Sequence, residues 1–168
     1  SVVNLALHHD VGPMLLWVLS QPTTMYTLST ELRAELLSAA RSSTVHLTLL
    51  QTAQEQINAA LNSAGIPAIW LKGIALAERV YPQPALRPMG DLDVLVPDKD
   101  RQDALDIVNR LGYRFYPFGD SALLDGEALL TRLTSKHYVL LGGPGDSITL
   151  ELHYALIGLN TLSPLQID

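Results

Sequence analysis

The sequence predicts an α+β protein, a small mixed sheet flanked by helices and preceded by a helical segment, and three stretches carry that reading. Apolar residues recur at helical spacing from Leu32 to Leu61. Asp91 to Val96 alternates in the manner of a strand, and two strand-like runs flank Gly142-Gly143-Pro144-Gly145-Asp146 as the arms of a hairpin. With 168 residues, 48% of them hydrophobic, the chain can bury one real core, and no internal repeat or linker divides it. Residues 1–65 form the helical segment packed on the core in this reading, and residues 66–168 form the core itself.

Each element follows from local signals. Met14 to Leu19 is a short apolar run stopped by Gln21-Pro22, which predicts a short helix. Ser29 or Thr30 can cap the next helix, Glu31 suits its first turn, and Gly65 with Pro67 closes it; Ser42-Ser43-Thr44 is where it would divide in two. Pro67 to Leu71 reads as a buried strand and Gly73 to Tyr81 as a helix, and Pro82, Pro84 and Pro88 then impose an irregular loop. After the Asp91 strand, Asp98 is placed to cap a helix from about Lys99 to Leu111, with Gly112 just past its end. Tyr113 to Tyr116 reads as a strand and Glu127 to Leu133 as a helix. The hairpin pairs Lys136–Leu141 with Ser147–Tyr154.

Composition narrows the function. Eleven Lys plus Arg against 17 Asp plus Glu give a net charge of −6, which disfavours bulk adhesion to nucleic acid or an anionic membrane. There is no cysteine, so no disulfide framework and no thiolate metal site arises, and a reducing cytoplasm is compatible. No apolar run approaches the roughly 20 residues of a membrane helix, and the expected setting is cytoplasmic. The chain starts at Ser1 without an initiator Met, the pattern of a processed or trimmed product of a longer protein.

The chemistry concentrates in Asp91-Leu92-Asp93. Period-two alternation sends Asp91 and Asp93 to one face and Leu92, Val94 and Val96 to the other. Adjacent like charges are costly unless a cation sits between them, and paired hard oxygens suit Mg²⁺ or Mn²⁺, with water and phosphate oxygens filling the remaining positions. In Thr149-Leu150-Glu151-Leu152-His153, Glu151 and His153 share a face by the same rule. If that strand pairs beside the Asp91 strand, three carboxylates converge and can hold metal, orient a triphosphate and deprotonate an acceptor hydroxyl.

Taken in order, Trp70-Leu71-Lys72-Gly73, Tyr81-Pro82, Arg87 with Asp91-Leu92-Asp93, Leu111-Gly112-Tyr113 and Glu151-Leu152-His153 resemble the uncharacterised branch of the nucleotidyltransferase superfamily, whose fold is shared with DNA polymerase beta. The resemblance spans roughly Ile66 to Tyr154. It implies a nucleotidyltransferase fold, with Asp91, Asp93 and Glu151 as catalytic metal ligands, and an enzyme that moves a nucleoside monophosphate from a nucleoside triphosphate to an acceptor it does not identify. Lys72, Gly73, Arg87 and His153 would bind the nucleotide, and the Lys72-Gly73 turn has independent sense because amides at a helix start favour anions. Many superfamily members carry Gly-Gly or Gly-Ser at this turn, so Lys72 here stands in as a cation. Members of the branch are commonly longer, which implies a further helical part beyond Asp168.

Blander readings compete at each position. The carboxylates could line a solvated strand edge, Arg87 could pair with Asp91 or Asp93, and His153 could be a hydrogen-bonded half-buried histidine. His137 stays outside the site because sequence does not fix its face relative to Glu151. The glycine run 142–145 resembles a phosphate loop but is followed by a strand, so it is a turn. His8-His9-Asp10 lacks ligand spacing. Two rival functions keep the same residues: a catalytically silent nucleotide-binding or regulatory module, and a glycosyltransferase gripping a nucleotide sugar through Asp-x-Asp. The second leaves Lys72-Gly73 and Glu151 unexplained.

Overall fold

A computed structural model describes residues 2–22, 28–115 and 137–155. Among these the chain forms five α-helices and a five-stranded mixed sheet, the expected α+β architecture. Contacts divide it into two compact units, Ser1–Gln56 with Leu71–Leu92, and Ile57–Trp70 with Asp93–Asp168. The helix expected at Glu127–Leu133 lies outside the described residues, as do Tyr116 and Lys136.

The first unit is helical. It holds α1 (Val2–His8), α2 (Gly12–Leu19), most of α3 (Thr30–Ser63), α4 (Lys72–Arg79) and a 3-10 turn at Pro84–Leu86. Ser29 starts α3 as expected, its hydroxyl accepting from the Leu32 amide at 3.4 Å. The helix then runs unbroken through Ser42-Ser43-Thr44. The Thr44, Thr48 and Thr52 hydroxyls each donate to the carbonyl four residues back, so these polar side chains are satisfied inside the helix and do not end it. Ser43 instead donates to the Ala85 carbonyl at 2.7 Å, fixing the proline-rich loop against α3. Buried Leu36, Leu47, Leu50 and Ala53 keep the predicted stripe. Gly12 permits a tight entry to α2: a Cβ there would lie 2.9 Å from Leu7 Cδ2.

The second unit holds the end of α3, α5 (Arg101–Arg110) and the sheet apart from Asp91 and Leu92, which fall in the first. α3 stops where Gly65 takes φ +73, with the Ile66 amide bonded to the Leu61 carbonyl and the Gly65 amide to Asn62. α5 ends the same way at Gly112, φ +99, through Tyr113 to Val108 and Gly112 to Asn109. Both are glycine-closed helix ends, as their sequences predict.

The sheet runs β1 (Ile69–Trp70), β2 (Asp91–Leu95), β5 (Ile148–His153), β4 (His137–Gly142), β3 (Arg114–Phe115), with β1–β2, β3–β4 and β4–β5 antiparallel. Its core includes Val94, Val96, Leu140, Ile148, Leu150 and Leu152, all essentially without exposure. Two expectations need correction. The segment 67–71 yields only a two-residue strand, and Ile69 is 46% exposed, because β1 occupies the edge of the sheet. Asp98 makes no cap: residues 98–100 form a 3-10 turn, and its carboxylate pairs with Arg101 at 3.1 Å, delaying the α-helix to Arg101.

Candidate metal centre

The pairing of β2 beside β5 is what assembles the site. The Val96 amide donates to the His153 carbonyl at 2.9 Å, which brings the Asp93 and His153 side chains together. His153 Nε2 lies 2.9 Å from Asp93 Oδ1 and 3.2 Å from Glu151 Oε2. An ionised carboxylate can only accept, so an Nε2–H tautomer of His153 donates to Asp93 Oδ1, with Glu151 Oε2 at ion-pair distance from the same nitrogen.

Burial gives these contacts weight. Asp93 is 2% exposed and His153 4%, whereas the Glu151 side chain keeps 22% exposure. A carboxylate taken out of water is costly unless it gains donors or a cation, and His153 supplies one donor. Val139 stands opposite Glu151 on β4, and His137 opposite His153, with the two imidazole centroids 4.9 Å apart.

One ligand atom from each of Asp93, Glu151 and His153 falls within 4.8 Å of the others. Two ligands of one ion can be separated by at most about 4.2–4.4 Å, twice a metal–ligand bond, so this group is close to a coordinating geometry. Its donors also suit the chemistry. Two carboxylates match Mg²⁺ or Mn²⁺, and the imidazole can either bind a softer ion or hold the carboxylates in place from outside.

Asp91, two residues earlier, is half-buried and lies outside this group. Same-face neighbours on a strand have Cα atoms about 6.7 Å apart. The structure thus gathers two carboxylates and an imidazole. His8, His9 and Asp10 form no such group among the described residues.

In the first unit, Lys72 opens α4 with φ +43, the left-handed region that costs a non-glycine residue about 1 kcal/mol. Gly73 behind it is buried, and a Cβ there would lie 3.2 Å from an Arg87 Nη and 3.3 Å from Met89 Cβ. The absence of a side chain therefore lets the Arg87 guanidinium lie against the start of α4. Helix-start amides, Lys72 and Arg87 together make this turn favourable for an anion.

Sequence alone does not place His137, although its partner is within reach. Counting back along the hairpin from the Gly142–Ile148 pair leads to His137–His153, but the five-residue glycine-proline connection admits more than one register.

No helix among the described residues is long and apolar enough to cross a membrane. No curated protein and no solved structure matches the chain. The profile of a family described as uncharacterised nucleotidyltransferase matches residues 1–167, and the chain belongs to that family.

Proposed function

We propose that this protein is a metal-dependent nucleotidyltransferase that moves a nucleoside monophosphate from a nucleoside triphosphate to an acceptor, releasing pyrophosphate. The observation that carries the reading is the group of Asp93, Glu151 and His153, whose ligand atoms lie within 4.8 Å of one another in a chain of this family. Asp93 and Glu151 would hold Mg²⁺ or Mn²⁺, with Asp91 as a further carboxylate on the same strand. The bound cation would supply Lewis-acid polarisation and charge neutralisation at the phosphoryl oxygens. His153 orients the carboxylates through its Nε2–H. Lys72, the Gly73 amide and Arg87 neutralise phosphate charge. Glu151, the more exposed carboxylate of the pair, completes the metal site or takes the proton of a hydroxyl acceptor.

The test is calorimetric titration of the chain with each nucleoside triphosphate, with and without Mg²⁺, using the Asp91→Asn, Asp93→Asn double variant as control. Metal-dependent binding that disappears in the variant supports the assignment. Binding that ignores both metal and carboxylates favours the silent nucleotide-binding module. Selective binding of a nucleotide sugar favours the glycosyltransferase.

A further inference from the structure

Two carboxylate oxygens converge on one nitrogen of His153. Asp93 Oδ1 lies 2.9 Å and Glu151 Oε2 3.2 Å from Nε2. An Nε2–H tautomer has a single hydrogen to offer there, and Asp93 accepts it. That hydrogen does not account for the second oxygen drawn to the same atom, whereas a cation bonded to all three atoms does. Neighbouring ligands of an ion with bonds of about 2.1 Å stand about 3.0 Å apart in an octahedron and about 3.4 Å apart in a tetrahedron. Both separations at His153 match such edges, with Nε2 as their common corner.

The surroundings suit this role. Asp93 and His153 are buried, and Asp93 with Glu151 brings two negative charges when ionised, which a dication cancels. His137 stands opposite His153 on β4, its ring centroid 4.9 Å away and its plane tilted by 36°. One imidazole packed on the other restrains the His153 ring and keeps Nε2 aimed at the carboxylates. Nitrogen is also the donor that separates metals. Mg²⁺ takes oxygen ligands and keeps its waters, whereas a site with a nitrogen ligand gains affinity along the series from Mn²⁺ to Co²⁺.

We propose that His153 Nε2 is itself a metal ligand beside Asp93 and Glu151, and that the centre selects Mn²⁺ and the later first-row dications over Mg²⁺, an inference that rests on the metal-dependent reading of this site. The two roles of His153 follow one another. Before the ion enters, Nε2–H orients the carboxylates. In the loaded centre the ring hydrogen resides on Nδ1 and the Nε2 lone pair faces the ion, so the imidazole is neutral in both states.

The test is calorimetry of the full chain with MgCl₂, MnCl₂ and CoCl₂, repeated on His153→Gln and Asp93→Asn, together with the electron spin echo of the Mn²⁺-loaded wild type. Glutamine keeps an N–H for Asp93 and removes the ring nitrogen. Mn²⁺ is expected to bind about tenfold or more tighter than Mg²⁺, and Co²⁺ tighter than Mn²⁺. His153→Gln should lower the Mn²⁺-to-Mg²⁺ ratio about tenfold, a change that a merely positioning histidine would not cause because it would weaken both ions alike. The wild-type echo should carry modulation from a bound imidazole nitrogen, a readout that stands whether or not the variant folds. Equal affinity for Mg²⁺ and Mn²⁺, a ratio unmoved in folded His153→Gln, or Asp93-dependent Mn²⁺ without nitrogen modulation overturns the inference and leaves the metal-dependent reading in place. No saturable binding of any of the three ions, with or without a nucleoside triphosphate, or binding that Asp93→Asn leaves intact, overturns that reading and the inference with it.

Discussion

His153 Nε2 and Asp93 Oδ1 meet at 2.9 Å across sixty residues of sequence, and both side chains are buried. The pair therefore ties β5 to β2 and gives a buried carboxylate a donor. Replacing His153 with Ala removes that donor, and the folded state should lose about 2 kcal/mol. His153→Gln retains an N–H group and should recover part of it. Urea unfolding of the three proteins checks this, and equal stability would mean that the hydrogen bond contributes nothing.

A cation that binds only the folded state raises its stability by mass action, by about 2.7 kcal/mol at a hundredfold excess over Kd. Mg²⁺ or Mn²⁺ should therefore raise the Tm of the wild type and leave Asp93→Asn unmoved. Turnover in that variant should fall by about a hundredfold or more with little change in fold, since amide and carboxylate are isosteric. An equal Tm rise in Asp93→Asn would place the metal elsewhere.

Much of this centre is legible because strands alternate by two. That rule puts Glu151 beside His153 and separates Asp93 from the apolar Leu92, Val94 and Val96. The β2–β5 pairing is a different kind of information, since it joins segments some sixty residues apart and no local pattern encodes it. Once that pairing is present, the 2.9 Å contact follows. Asp98 is ambiguous in sequence because one carboxylate can serve either a cap or a nearby guanidinium, and Arg101 three residues on takes it. A cavity of the first unit is not legible in sequence for a related reason: its lining comes from residues 7–13, 39–47 and 87–89, which share no periodic signal. Glycine helix ends, by contrast, are local, and Gly65 and Gly112 close their helices as read.

Gly142 and Tyr113 pack so closely that a Cβ on Gly142 would lie 2.5 Å from the ring Cδ1. Tyr113 is only 3% exposed, so the ring cannot easily swing away. Gly142→Ala should destabilise the protein by about 1–3 kcal/mol, the cost of overpacking. Adding Tyr113→Leu should return part of that loss. Denaturant midpoints of the single and double variants measure the coupling, and additive effects would show that the ring is not the obstacle.

Burial also raises the pKa of the Tyr113 phenol. The folded state then holds the proton more tightly than the unfolded chain, whose phenol titrates near 10. Below that value the contribution to stability is fully present, and it is lost as pH rises from about 10 through the raised folded value. Stability should thus fall with pH in the alkaline range, and Tyr113→Phe should lessen the slope. Unfolding midpoints from pH about 9 upward, read beside the phenolate absorbance, test the sign. A midpoint that is flat with pH in the wild type would contradict it.

Lys72 holds φ +43 at the first residue of α4, where glycine would be unstrained. Lys72→Gly should therefore leave stability unchanged or raise it by up to about 1 kcal/mol. If the cation serves phosphate, the same change should weaken nucleotide binding about fivefold to tenfold, so stability and affinity move in opposite directions. Lys72→Asn separates the two effects further, because Asn tolerates a left-handed backbone without carrying charge. Thermal unfolding and nucleotide titration on the same preparations decide it. Unchanged affinity in both variants would make Lys72 an exposed lysine whose strain serves the turn alone. The Gly73→Ala change acts on the neighbouring group, since its Cβ would press on the Arg87 guanidinium, and it should lower affinity with the Lys72 charge intact.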